Sequence, residues 1–496
     1  MNAVRTWWSR LDDLINPVVV KEVRQAVRGR FVSVTLNCFL LALLATSSAL
    51  LPEYANPANI YHRGYELMQI LVGILLFTTL IFVPIASGVR LALERSGDNI
   101  DLLYISAISP RSIVLGKMLA SSLVTALFFF AAAPFITMTY FLRGTDFVAI
   151  MVSLFVAYLA VLGTIQLAIC LACFKTPTAM KVILAAGFLV LALFIFGGTM
   201  DLLSDINRRG LGGLVFRGGL WERILVLLSI GVIGGLGLFF VSVALIKPDS
   251  ANKGRQPRAF FFVAWTLVCL TMVVFDASTD VLEVGAVFGL TAGIVGMLVA
   301  VSERDDPGLR VRREIPVAGW RRAIAFAFFS GSASGMVWSV LMMMAAIGFS
   351  SGFVRSGIWN SMEEIMVGVS LYTVFYGLAA HLLHRHWLKR FFGRGWTWLA
   401  SLVLLGLGMF VPWALGALLF PQKWSDGDLS PYFFLWNPFT LSSHSHRPLS
   451  LAMASIFVVI LVVLRHRWFF TCWSKFKAEV PSEPPPRRGT EIRGVA

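Results

Sequence analysis

Charge is what this sequence has least of: 14% of its residues are Asp, Glu, Lys or Arg, against about 25% in ordinary soluble domains. With 57% of 496 residues hydrophobic and a mean hydropathy of +0.77, the chain carries more apolar surface than a soluble core can hide. A bilayer removes the need to hide it. Cysteine is scarce too. Of the five present, Cys38, Cys170, Cys173 and Cys269 fall inside apolar runs and Cys472 follows the last one, which excludes a disulfide framework. The Cys170-x-x-Cys173 pair lacks the second ligand pair that a zinc site needs, so these cysteines read as packing residues.

Further absences narrow the chemistry. There is no G-x-x-x-x-G-K-[ST] phosphate loop, because Gly116-Lys117 lacks the upstream glycine and the following hydroxyl. If ATP energises this protein, a separate subunit must bind it. No G-x-S-x-G element marks a membrane hydrolase. His381, His384 and His386 cluster at the end of one apolar run, and His444 and His446 precede another. Neither group carries an H-E-x-x-H pattern or an acidic third ligand, so they read as headgroup-level basic residues and no metal site is expected. The apolar runs hold almost no ionisable residue near their centres. Ion-coupled carriers usually need such groups, although backbone carbonyls also bind sodium.

What the sequence does hold is a series of apolar runs near 20 residues, the length of a membrane-spanning helix. They lie at 31–51, 67–89, 113–141, 147–174, 178–200, 224–246, 259–275, 283–301, 323–348, 365–383, 396–420 and 450–464. The runs at 259–275 and 283–301 are close enough to form a tight hairpin. The fold class is therefore an all-α polytopic bundle of about twelve spans. With the N-terminus placed in the cytoplasm, the alternating segments on that side, together with Lys117 and Lys181 in the opening turns of two runs, hold 33 of the 42 Lys and Arg residues. Such a bias orients membrane proteins, and it puts both termini inside. It also explains the pI near 10 without nucleic acid, because positive loops facing anionic lipid suffice. The 201–223 loop departs from the rule with Arg208, Arg209, Arg217 and Arg223, and is expected to be a membrane-surface helix or a partly re-entrant piece. Asp12, Asp13 and Glu22 precede the first span and no cleavage site follows it, so that span is expected to remain.

The first thirty residues look interfacial. Asn16-Pro17 is a helix start, Asn as cap and Pro in the first turn. Beyond it Val20, Val23 and Val27 share one face and Lys21, Arg24, Gln25 and Arg28 another. A basic amphipathic helix of this kind lies among lipid headgroups. The stretch 90–117 opens with charge, turns amphipathic at Ile100, Leu103 and Ala107, and stops at Pro110. Ser109 is placed to cap the helix that follows. A short helix between two spans is a handle for a soluble partner. Gly285, Gly289 and Gly293, and Gly331 with Gly335, let helices approach closely, and read as packing within the chain.

Two stretches resemble a known family. Asn16-Pro17-Val18-Val19-Val20-Lys21-Glu22-Val23-Arg24 with Arg28-Gly29-Arg30 is similar to the opening of bacterial ABC-2-type transporter permeases. Glu94-Arg95-Ser96-Gly97-Asp98-Asn99-Ile100-Asp101-Leu102-Leu103, then Ser109-Pro110 and Gly116-Lys117, resembles that family's E-R-x-x-G…L-L…S-P…G-K pattern between its second and third helices. Asp98 and Asp101 stand where Glu is commoner in that pattern. Asn437-Pro438-Phe439-Thr440 is a weaker echo ahead of the last span. The likeness covers about residues 10–145 well and extends plausibly to 246.

The resemblance implies the membrane subunit of an ABC exporter in the cell inner (plasma) membrane. No catalytic residue is implied, and no cofactor is bound directly, since ATP and Mg sit on the partner. That partner is a cytosolic ABC ATPase, whose closing dimer would push on the 94–110 element. Glu94, Arg95, Asp98 and Asp101 would steer the contact, Leu102 and Leu103 would supply its apolar part, and Ser109 and Pro110 complete the motif. Asn16, Pro17, Lys21, Glu22, Arg24 and Arg28 would hold the interfacial helix against the bilayer and the second span. The expected plan is an interfacial helix at 1–30, a permease-like core at 31–246, a cytoplasmic linker at 247–258, a second bundle at 259–470 and a disordered tail at 471–496. No second copy of either motif appears in 259–470. Residues 259–470 are either extra helices fused to a half-permease, with homodimerisation or pairing with another permease, or a diverged second permease half that makes the chain a pseudo-dimer. The first is expected, because the Asp305-Asp306-Pro307 opening of the basic 303–322 loop does not reproduce the first-half spacing. Two other classes stay open on the residues alone: an ion-coupled secondary transporter, and a non-transport membrane assembly protein.

Overall fold

The computed structural model describes residues 17–54, 60–94, 109–142, 146–174, 178–216, 220–248, 250–275, 278–353, 359–390, 393–419, 436–442 and 446–478. All of its regular structure is helical, and it divides into two compact units, Met1–Pro248 and Asp249–Ala496. The first unit holds α1 (Pro17–Arg28), α2 (Arg30–Tyr54), α3 (Ile60–Glu94), α4 (Pro110–Phe141), α5 (Phe147–Ala172), α6 (Thr178–Phe216) and α7 (Leu220–Ile246). The second holds α8 (Arg255–Val274), α9 (Thr279–Val301), α10 (Leu309–Arg313), α11 (Gly319–Phe328), α12 (Ser332–Phe353), α13 (Trp359–His386), α14 (Thr397–Leu419) and α15 (Arg447–Lys475).

Among the described residues, eleven helices are long and apolar enough to cross a bilayer, and α7 adds a shorter apolar stretch at Ile233–Ile246. Only a helix or a closed barrel satisfies its backbone within lipid, and these runs take the helical option. Their hydroxyls are satisfied the same way. Thr46, Ser47, Thr79, Thr125 and Ser339 each donate to the carbonyl four residues back. Large apolar side chains point outward all along the helices, among them Phe130, Phe194, Leu267 and Leu418. A soluble protein does not tolerate a surface of this kind. The chain is a multi-pass membrane protein.

In the first unit α3 is the central helix. Leu67, Leu71, Leu75, Leu76 and Leu80 are fully buried, and α3 packs on α2, α4, α5 and α6. In the second unit α9 and α12 pack most closely, and glycine is the reason. A Cβ at Gly289 would lie 2.6 Å from the Trp265 indole nitrogen, and one at Gly293 would overlap Met343. The glycine stripe thus serves packing within one chain.

Several boundaries differ from the sequence reading. The run 323–348 is two helices, α11 and α12, broken at Gly331, whose φ of +152° is strained for any other residue. Residues 201–216 continue α6 instead of forming a surface helix. Asn207 donates to Ser153 Oγ at 3.1 Å and Arg208 to the Tyr65 hydroxyl at 3.1 Å, so polar contacts with α5 and α3 hold that extension. Helix α15 runs on to Lys475, into the stretch expected to be tail. There Trp473 and Phe476 pack edge-on against Phe326. His381 and His384 are buried within the protein. α15 covers that face of α13, with Arg465 hydrogen-bonded to His381 and Trp468 against the His381 ring at 4.5 Å.

Candidate functional site

Three segments of the first unit converge on Lys117. It lies two turns into α4, and its side chain is 3% exposed. A lone ammonium so placed would be costly, because taking a charge out of water is repaid only by close partners. Two carboxylates supply that repayment. Glu22 Oε1 of α1 accepts from Lys117 Nζ at 2.6 Å, and Glu94 Oε2 at the end of α3 lies 2.8 Å away. Glu22 is itself buried, with a side chain 7% exposed, whereas Glu94 is 31% exposed. Lys21 reaches Glu94 Oε1 at 3.4 Å, but Lys21 is largely exposed and adds little.

The local sequence explains why these groups meet. Pro17 opens α1, as its fixed φ suits a first turn. Glu22 and Ala26, one turn apart, form the buried side of α1, which packs on α4. Val20 and Val27 are exposed, consistent with an apolar stripe turned to lipid. Ser109 caps α4 by accepting from the Ser112 N–H at 3.2 Å, and Pro110 occupies the first turn. Beside the cluster lies a crevice of about 40 Å³ with Glu22, Arg90 and Lys117 at its polar end and Phe31, Phe82 and Phe128 along its wall. It has room for about three waters.

The structure therefore brings together Lys21, Glu22 and Glu94, and places Ser109 and Pro110 at the start of the same α4. Arg24 and Arg28 lie on the exposed side of α1. Asn16, Arg95, Asp98, Asp101, Leu102 and Leu103 lie outside the described residues. Sequence reasoning missed the central role of Lys117. The signal in the sequence is a cation inside an apolar helix, which the Gly-Lys pattern absorbs.

The second unit has its own buried cation. Arg258 of α8 is 7% exposed; it donates to Glu303 Oε1 at 2.6 Å and to the Phe329 carbonyl. Glu303 Oε2 accepts from the Gly331 N–H at 2.6 Å. Asp305 accepts from Ser332 and, at 3.3 Å, from the Trp468 indole. These contacts tie together the start of α8, the end of α9, the start of α12 and the last turns of α15. Among the described residues no three His, Cys, Asp or Glu side chains are grouped to hold a metal ion.

The Lys117 cluster lies where α3 hands over to residues 95–108 and where α4 receives the chain again. The ion pairs join α1, α3 and α4 at that point. No family model matches the chain, no curated protein matches it, and no solved structure does.

Proposed function

We propose that this protein is the membrane subunit of an ATP-driven exporter of the ABC-2 type, moved by a separate cytosolic ATPase. One observation carries the reading: Glu94, at the root of the segment that resembles the family's ATPase-contact motif, is ion-paired to Lys117 and thereby to Glu22. A partner pressing on 95–108 would act on three helices at once, which is what a coupling element must do. The buried pair also makes the junction stiff, because separating Lys117 from Glu22 exposes each charge to an apolar surrounding.

In this reading Arg95, Asp98 and Asp101 steer the ATPase onto the segment, and Leu102 and Leu103 fill an apolar groove on it. ATP and Mg are bound by that partner. The membrane is the cell inner membrane, with both ends of the chain on the ATPase side. The test is recruitment. Leu102→Asp or Leu103→Asp should insert normally yet fail to co-purify the ATPase that accompanies the wild-type chain. Undiminished co-purification would remove the assigned contact, and absence of any ATPase from the wild-type complex would remove the exporter reading.

A further inference from the structure

The two units are built to one plan. In the first, α3 packs on α2, α4, α5 and α6, α5 packs on α4, α6 and α7, and α2 touches α4. In the second, α9 packs on α8, α12, α13 and α14, α13 packs on α12, α14 and α15, and α8 touches α12. Taken in chain order, α2 to α7 correspond to α8, α9, α12, α13, α14 and α15. Each principal pairing among those six helices of the second unit has its counterpart in the first.

Polar bridges repeat with the packing. Gln166 of α5 donates to Ser242 of α7 at 3.1 Å, and Arg465 of α15 is hydrogen-bonded to His381 of α13. Both bridges join the fourth and sixth members late in each helix. Glu94 closes the second member of the first unit and pairs with buried Lys117 at 2.8 Å. Glu303 follows the second member of the second unit and pairs with buried Arg258 at 2.6 Å. The cation comes from the third member in one case and the first in the other, so the position of the buried pair is kept while its donor has changed.

We infer that residues 249–496 are a second, diverged copy of the six-span unit in residues 1–248, and that the stretch 302–331 is a second contact surface for the same ATPase. This rests on the exporter reading. In the shared plan 302–331 occupies the place of 95–109, between the second and third members. It is built as a knob on an apolar anchor. Val311 and Ile315 are buried in a cluster with Phe326, Phe329 and Phe476, and Arg312 donates to the Pro307 carbonyl at 3.1 Å. Anchored this way, the knob presents Leu309 and Val317, 63% and 80% exposed, flanked by exposed Arg310 and Arg313. Apolar side chains on a fixed, charged base suit a groove on a folded partner.

The measurement is the mass of the full chain purified with its co-purifying ATPase, in detergent, without nucleotide. Two ATPase subunits per chain are expected, and one per chain overturns the inference while leaving the exporter reading in place. Where the two surfaces hold the two subunits of one ATPase dimer, they bind it with an avidity about 10²–10⁴-fold above either surface alone. Leu309→Asp with Val317→Asp should therefore weaken ATPase binding by that factor, as Leu103→Asp should. Arg310→Glu with Arg313→Glu, at exposed positions that leave the anchoring cluster untouched, should weaken it too if the apolar variant fails to fold. Wild-type affinity in the charge variant overturns the second surface, including the case where the knob meets lipid headgroups. A wild-type chain that recruits no ATPase overturns both readings together.

Discussion

Lys117 and Glu22 stand 95 positions apart in the chain and 2.6 Å apart in space. The contact gives Glu22 its reason to be buried on the underside of an otherwise basic helix. It converts α1 from a headgroup-level float into a part bolted to α4. Together with Glu94 it makes the junction of three segments an electrostatic unit, and it can be taken apart one charge at a time.

Lys117→Met leaves Glu22 buried without its cation. Breaking a buried pair from one side costs about 3–5 kcal/mol, so this variant should unfold at a clearly lower temperature in detergent. Adding Glu22→Gln removes the stranded charge and should recover most of the loss. Equal melting of Lys117→Met and wild type would show that the pair does not hold α1 in place.

Gly331→Ala should weaken the second unit. Its φ of +152° costs a side-chain-bearing residue about 1–3 kcal/mol, and the same residue's N–H serves Glu303. Gly348→Ala, where an added Cβ meets nothing within 4 Å, is the matched control and should be neutral within about 0.5 kcal/mol. Thermal unfolding of the two variants side by side decides it, and indistinguishable curves would count against the break at Gly331.

Gly289→Val drives a branched side chain into Trp265, whose indole donates to the Gly285 carbonyl at 3.0 Å. Overpacking of this kind costs about 1–3 kcal/mol, read as reduced stability with the association state unchanged. A shift in association state at unaltered stability would mean that the glycine stripe meets another chain.

Much of the architecture was legible and some was not, for identifiable reasons. The apolar runs announce the spans because lipid demands long helices, and Ser109 with Pro110 announces the start of α4 because capping is local chemistry. Lys117 was visible as a cation in an apolar run, but its partners were not, since nothing local ties Glu22 to it. The break between α11 and α12 hid inside one continuous apolar stretch. Residues 201–216 misled because their arginines read as loop, whereas Arg208 is held by Tyr65. The common plan of the two units lies in packing order and not in repeated motifs, so reading for motifs alone passes over it.

The reading as a whole depends on which side of the membrane residues 95–108 face. Asp98→Cys, treated with a membrane-impermeant maleimide and compared with the unsubstituted chain, should react in inside-out vesicles and stay unlabelled in intact cells. Labelling in intact cells and protection in inside-out vesicles would place the segment outside, beyond the reach of any cytosolic ATPase, and would contradict the coupling role of Glu94 and Lys117.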